Sequence, residues 1–204
     1  MGRWAEIDTD IDRRYDHFGL WAFSSDNVNP WAWNDALFTP DECDAIIGLG
    51  NRRRLRPGST RQGITDYRES DVAFIHPDAL TGWVFQRLTA SVSQLNDQFF
   101  GFDLTGFGEG LQFTRYAAPG QHYKAHVDMG FGHTIRKLSL VVQLSDPADY
   151  EGGELELDNG EPFPMERSRG RLVAFPSWTV HRVTPVTEGT RYSLVAWITG
   201  PAFR

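Results

Sequence analysis

Apolar residues follow one period before Gly101 and another after it. Leu80, Val84, Leu88, Val92, Leu95 and Phe99 recur at spacings of 4, 4, 4, 3 and 4, the repeat that stacks side chains on one face of a helix. The spacing predicts a helix opening at Pro77 and Asp78, with that stripe in the core. An earlier helix is predicted from Pro40 to Arg54. Thr39 stands as its N-cap, Pro40 occupies the first helical position, Glu42 closes a capping box, and Phe38 can pack against Cys43. Arg52, Arg53 and Arg54 suit the negative end of its dipole. After Gly101 the apolar runs shorten to Leu111–Tyr116, Leu138–Leu144, Glu154–Leu157, Arg171–Phe175 and Tyr192–Ile198, separated by Gly, Pro, Asn and Asp. Such runs are strands. Asn159-Gly160, before Glu161-Pro162-Phe163, predicts a two-residue hairpin loop. Two helices followed by about eight short strands predict an α+β protein, an antiparallel sandwich or barrel with the N-terminal helices packed against one sheet.

No repeat, low-complexity run or Pro/Gly/Ser-rich linker divides the chain, so residues 1–204 read as a single domain. Within it, 1–100 is an extension with supporting helices and 101–204 the strand-rich core. The extension is aromatic: Trp4, Tyr15, Phe18, Trp21, Phe23, Trp31 and Trp33 are too many large side chains for a solvated tail, and most are expected to pack on the body. With 40% hydrophobic and 23% charged residues, the 204-residue chain has the balance of a folded protein rather than a disordered one. Its formal charge of -7 disfavours a phosphate-backbone partner. A lone cysteine, Cys43, excludes a disulfide scaffold and is compatible with a cytoplasmic location. No stretch of 18 apolar residues is present, and residues 1–12 offer no apolar signal core, so neither membrane span nor export signal is expected.

The candidate chemistry lies in the strand-rich half. His126 and Asp128 flank Val127, His181 follows 55 residues after His126, and Arg191 stands ten residues after His181. On a strand, residues two apart share a face, so His126 and Asp128 can address one point that a histidine from another strand completes. Two imidazoles and one carboxylate make the facial set that suits iron(II) and leaves positions open for exogenous ligands. A closed zinc site would ordinarily use more protein ligands, with cysteines among them.

The segment from Leu111 to Pro201 resembles the prolyl/lysyl hydroxylase-like branch of the iron(II)- and 2-oxoglutarate-dependent dioxygenases, over nearly half the chain. The resemblance is carried by Arg115–Asp128 leading into the H-x-D pair, by Arg136–Ser145, and by Glu151-Gly152-Gly153-Glu154-Leu155. Gly170–Ser177 with Val180–Val186 around the distal histidine, and Arg191–Trp197, complete it. It implies a double-stranded β-helix, or jelly roll. It also implies that His126, Asp128 and His181 hold Fe(II), and that Arg191, with Tyr116 and Ser193, binds the distal carboxylate of the cosubstrate 2-oxoglutarate. Guanidinium meets that need because it pairs carboxylate bidentately and stays charged when buried. The implied activity, with O2, is hydroxylation of an aliphatic C–H with release of succinate and carbon dioxide. A prolyl or other amino-acid residue, peptidyl or free, leads as substrate. Tyr123 and Trp197 match aromatic positions near the family pocket.

Several alternatives stay open. The Arg191–Ser193 pair also occurs in small-molecule hydroxylases of the phytanoyl type. A nucleic-acid demethylase of the same superfamily usually carries a second arginine where Trp197 stands, and the acidic charge opposes it. A non-catalytic metal-binding jelly roll is a third class. His122 and His126 do not make a zinc-protease pair, because Tyr123 occupies the position of the glutamate that motif needs. His133 is a candidate for the site's mouth. The polar segment Arg56–Ser70 is a candidate mobile lid, with Arg61, Tyr67 and Arg68 as residues that touch substrate.

Overall fold

The structure is a computed structural model that describes residues 28–58, 66–129 and 135–202. In chain order its elements are β1 (Ala32–Asn34), α1 (Pro40–Asn51), β2 (Arg56–Pro57), β3 (Arg68–Glu69), β4 (Asp71–Ile75) and α2 (Gly82–Leu95). There follow β5 (Gly106–Phe107), β6 (Leu111–Ala117), β7 (His122–His126), β8 (Arg136–Gln143), β9 (Tyr150–Gly152), β10 (Leu155–Asp158), β11 (Pro162–Pro164), β12 (Leu172–Pro176), β13 (Val180–Val183) and β14 (Val186–Thr199).

Helix α1 begins as its sequence dictates. Thr39 Oγ1 accepts from Glu42 N–H, and Glu42 Oε2 accepts from Thr39 N–H at 2.9 Å, so two otherwise orphaned donors are satisfied. The helix ends at Asn51, short of the expected Arg54, and the arginine run lies just beyond it. Helix α2 starts later than its stripe. The Asp78 carboxylate accepts from the Leu80 and Thr81 amides and closes a turn first, so Leu80 is 71% exposed while Val84, Leu88, Val92 and Leu95 are buried. At its far end Asn96–Phe100 widens to a π-turn closed by Gly101 at φ 64°. One wider turn buries Phe100 in the core, with Phe99 partly buried against it.

Strands are not confined to the half after Gly101. The larger, nine-stranded sheet runs β1-β12-β8-β14-β6-β4-β2, with β5 and β9 also pairing with β14; the five-stranded sheet runs β11-β10-β13-β7-β3. β1, β2, β3 and β4 all precede Gly101, and β4 pairs with β6 in the register Asp71↔Arg115 to Ile75↔Leu111. The expected hairpin is present, but Asp158 pairs with Pro162, which makes the loop three residues with Gly160 at φ 116°.

Two cores follow. Ile46, Leu49, Val84 and Leu88 from the helices cluster with Leu111, Phe113, Leu140 and Leu194 of the larger sheet. Between the sheets, Val141, Val173 and Phe175 meet Leu155, Leu157 and Met165. Each such buried aliphatic or aromatic side chain contributes about 1.5–3 kcal/mol, so this second cluster firmly sets the floor beneath β7 and β13. Of the aromatic extension, Trp31 stacks on Phe163 at 5.6 Å, whereas Trp33 is half exposed under Arg171. Trp4, Tyr15, Phe18, Trp21 and Phe23 lie outside the described residues. Among the described residues no helix is long and apolar enough to cross a membrane.

Candidate active site

β7 and β13 pair antiparallel with His126 opposite His181, and Asp128 follows β7 where its amide donates to Ser177 O at 3.0 Å. Pairing of β7 with β13, plus the backbone bond that anchors Asp128 to Ser177 just past β7, thus delivers three side chains to one point. One ligand atom from each of His126, Asp128 and His181 lies within 4.8 Å of the others. His126 Nε2 is 3.7 Å from Asp128 Oδ1, and His181 Nε2 is 3.4 Å from Asp128 Oδ2.

Both imidazoles are oriented from behind. Nδ1 of His126 lies 2.8 Å from Lys124 O, and Nδ1 of His181 lies 3.0 Å from Thr179 O. A carbonyl accepts only from N–H, so both Nε2 atoms keep their lone pairs for the shared point. Burial holds His126 down, to a pKa of about 4, with the neighbouring His181 adding to the effect. Burial alone would raise Asp128, but His181 and His126 opposite it hold the carboxyl well below the ordinary range. Burial opposes the charge on His181 as well, and the Asp128 carboxylate overcomes it and raises that imidazole. Two neutral-capable nitrogens and one fixed carboxylate, buried together, are a donor set that fits a divalent metal.

A second feature lies on the inner face of the larger sheet. Arg191 is 1% exposed; its Nη2 donates to Gln143 Oε1 at 2.9 Å, and its Nε and Nη1 are buried without a hydrogen-bond partner. A buried guanidinium with two idle donors is costly unless an anion meets it. Its Cζ lies 5.6 Å over the ring of Tyr116, which faces it across β6 and β14. Ser193, also buried, faces Thr114 and Gln143 in register.

The remaining sequence candidates divide. Tyr123 stacks on His126 at 3.5 Å. Trp197 is buried under the Arg136 guanidinium at 3.7 Å, and its indole N–H helps to hold the Asp128 carboxylate ionised. Tyr67 meets Tyr123 edge-on and donates its hydroxyl hydrogen to Ala125 O. Arg68 is not a loop residue: it sits in β3, opposite Tyr123 of β7, and is buried. Arg61 and His133, and the middle of the expected lid, lie outside the described residues.

Sequence reasoning missed Gln143, Ser139 and Arg136. Ser139 Oγ donates to Asp128 Oδ2 at 2.8 Å and lies 3.1 Å from Ser177 Oγ. Arg136 donates to Asp128 O and pairs bidentately with Glu109. A signal existed. In the buried strand β8, Ser139 and Gln143 are polar positions of one parity, and a polar residue buried on a sheet's inner face needs a partner there.

Residues 111–199 match the family model of the 2OG-Fe(II) oxygenase superfamily. Over 90 residues the chain is 38% identical to a PKHD-type hydroxylase of Picosynechococcus sp., covering 43% of this chain and 41% of that protein. Over 121 residues it is 35% identical to a PKHD-type hydroxylase of Cupriavidus metallidurans, covering 55% and 53%. The matches span about half or less of these curated relatives' length. Among solved structures, a Pseudomonas putida prolyl-4-hydroxylase superposes with a TM-score of 0.68 at 24% identity, over 85% of this chain and 94% of that one. A Trichoplax adhaerens prolyl hydroxylase, solved with a hypoxia inducible factor peptide fragment, gives 0.71 at 17% identity, over 84% of each. The chain therefore has the jelly-roll fold of these enzymes. Its residues 111–199 match the 2OG-Fe(II) oxygenase superfamily, as the sequence resemblance implied.

Proposed function

We propose that this protein is an Fe(II)- and 2-oxoglutarate-dependent dioxygenase that hydroxylates an aliphatic C–H of a prolyl or other amino-acid residue, peptidyl or free, releasing succinate and carbon dioxide. The observation that carries the reading is Arg191: over Tyr116, whose hydroxyl feels both it and the Asp128 carboxylate of the His-Asp-His set, a buried guanidinium keeps two donors idle, the need that a dicarboxylate cosubstrate answers.

In this reading His126 and His181 hold the iron through Nε2, and Asp128 holds it through its carboxylate. Bound there, iron with O2 and 2-oxoglutarate supplies the oxidising equivalents that turn substrate C–H into C–OH. The chain's own residues bind and orient. Ser139 fixes the Asp128 carboxylate, Lys124 O and Thr179 O fix the imidazoles, and Gln143 holds one edge of Arg191 so that its other edge faces the cosubstrate. Tyr116, kept neutral by burial, and Ser193 complete the carboxylate pocket. Phe175, edge-on to His181 at 4.8 Å, keeps water from the floor.

The same proposal reads residues 1–204 as one domain, with α1 and α2 backing the larger sheet, and places the protein in the cytoplasm, where a buried free Cys43 is at ease. Its partner is a peptide or protein, or a small amino-acid-like molecule, and neither a membrane nor a nucleic acid. The test is succinate formation by the iron(II)-loaded protein under air, with and without prolyl and lysyl peptides and free amino acids. Substrate-stimulated succinate that Asp128→Ala abolishes supports the reading; no 2-oxoglutarate consumption at all contradicts it.

A further inference from the structure

Arg68 is a buried cation to which the described residues offer no anion. It is 7% exposed; its Nε donates to Ser70 Oγ at 2.9 Å, its Cζ lies 4.6 Å over the Tyr123 ring, and its charge bears on the Tyr116 hydroxyl. All three neighbours are neutral, since burial raises both phenols. The nearby carboxylates are already engaged: Asp71 with Arg115 at 2.9 Å, Asp66 with Lys124 at 3.1 Å, Glu109 with Arg136, and Asp128 within the triad. Glu69, next along β3, is exposed.

The position is built. A Cβ at Gly58 would come within 2.4 Å of Ser70 Oγ and 2.6 Å of Arg68 Nε, so the guanidinium lies in a slot that a side chain at Gly58 would close. It also lies beside the chemistry. Tyr123, on which Arg68 rests, stacks on the ligand imidazole of His126, and the Arg68 charge helps to disfavour protonation of that ring. Arg68 and Arg191 both contact Tyr116. In the proposed reaction Arg191 takes the distal carboxylate of the cosubstrate, and the second cation remains. Burying an arginine there is costly unless some component of the working complex brings a negative group.

We propose that Arg68 anchors a carboxylate of the substrate, so that this site takes an amino-acid unit with a free carboxylate, either a free amino acid or the C-terminal residue of a peptide. The inference rests on the oxygenase reading above, and it narrows the substrate from any prolyl or amino-acid residue to one presenting an α-carboxylate near the reacting C–H. A guanidinium fork meets that group bidentately, which fixes both its distance and its orientation.

The experiment uses the full chain loaded with iron(II). The visible band of its anaerobic 2-oxoglutarate complex is recorded first. Succinate formation and calorimetric binding to that anaerobic complex are then measured with free L-amino acids, their C-terminal amides, peptides with free C-termini, and the same peptides acetylated and amidated. The expected result is that an acid, free or C-terminal, stimulates succinate formation and binds about tenfold or more tightly than its amide, the size of effect that charge-assisted hydrogen bonds give. Free amino acids and free C-termini tell the two sources apart. Arg68→Met should erase the preference for acid over amide, and Arg68→Lys should keep part of it, with the 2-oxoglutarate band retained in both.

Equal response to acids and amides, stimulation by capped peptides alone, or no response to any carboxylate compound overturns the proposal. So does loss of the band in either variant, which would assign Arg68 to the cosubstrate. The comparison of acids with amides in the unaltered protein stands even if a variant fails to fold. Absence of the band in the unaltered protein contradicts the oxygenase reading itself, and this proposal with it.

Discussion

Arg191 donates from Nη2 to Gln143 Oε1 at 2.9 Å and leaves its other two nitrogens buried and idle. A neutral partner on one edge is what keeps the guanidinium's charge available to a ligand on the other; a carboxylate at position 143 would consume it. Hydrogen bonds to charged groups contribute about 1.5–3 kcal/mol each, so Arg191→Met should weaken 2-oxoglutarate binding by about 100-fold or more. Gln143→Glu should weaken it as well, by presenting a competing anion, and by more than Gln143→Leu does. Equilibrium titration of the cosubstrate into the iron(II) protein ranks the three.

In the proposed reaction Ser139 would act on the metal through Asp128. Its hydroxyl donates to Oδ2 at 2.8 Å and is backed by Ser177. Partners that orient a metal ligand typically matter by about 10–100-fold in affinity, so Ser139→Ala should weaken iron(II) binding by that range while leaving the fold intact. Metal titration with circular dichroism alongside separates the two effects.

The triad was legible in the sequence because its H-x-D pair is local, although β7 stops at His126 and Asp128 is set by its backbone bond to Ser177 rather than by strand parity. The supports around it were not. The shared parity of Ser139 and Gln143 was readable, but it becomes a signal only once their run is known to be buried on both faces, and that depends on pairing with β12 and β14. Strands β2 and β3 are two residues each, too short to carry a period, and β4 is completed only by pairing with β6 some forty residues on. The equally remote pairing of β3 with β7 is why Arg68 read as a loop residue when it is a buried strand residue. The delayed start of α2 has a local cause, the Asp78 turn ahead of Gly82, and could have been read from the sequence.

The capping box of α1 makes stability depend on acid. Its hydrogen bonds to Arg87 and to the Thr39 amide hold Glu42 below its ordinary value of 4.5. A carboxyl lowered in the folded state contributes stability that is present above its unfolded pKa and is lost as pH falls through the folded one. Glu42→Gln keeps the box but loses the charge that pairs with Arg87, so it should cost a few tenths of a kcal/mol, up to about 1, at neutral pH, and the gap to the unaltered protein should close as pH drops below 4.5. Thermal melts at pH 7 and pH 3.5 check both statements.

Cys43 is fully buried against the α1 core, and burial pushes its thiol up to about 11. Only the thiolate reacts readily with disulfide reagents. In the folded protein Cys43 should stay unmodified by a thiol-exchange reagent at pH 8 and react at once in denaturant. Rapid labelling of the native protein would contradict the core placement of α1.

The central claim is that one buried constellation binds iron(II) through His126, Asp128 and His181 and presents Arg191 to a 2-oxoglutarate chelated beside it. Anaerobic titration of 2-oxoglutarate into the iron(II)-loaded protein tests it most directly, by the visible charge-transfer band that such chelation produces. The account predicts a saturable band that His126→Ala abolishes and that Arg191→Met moves to much higher cosubstrate concentration. A protein that binds iron yet gives no band, or a band indifferent to both substitutions, would contradict it.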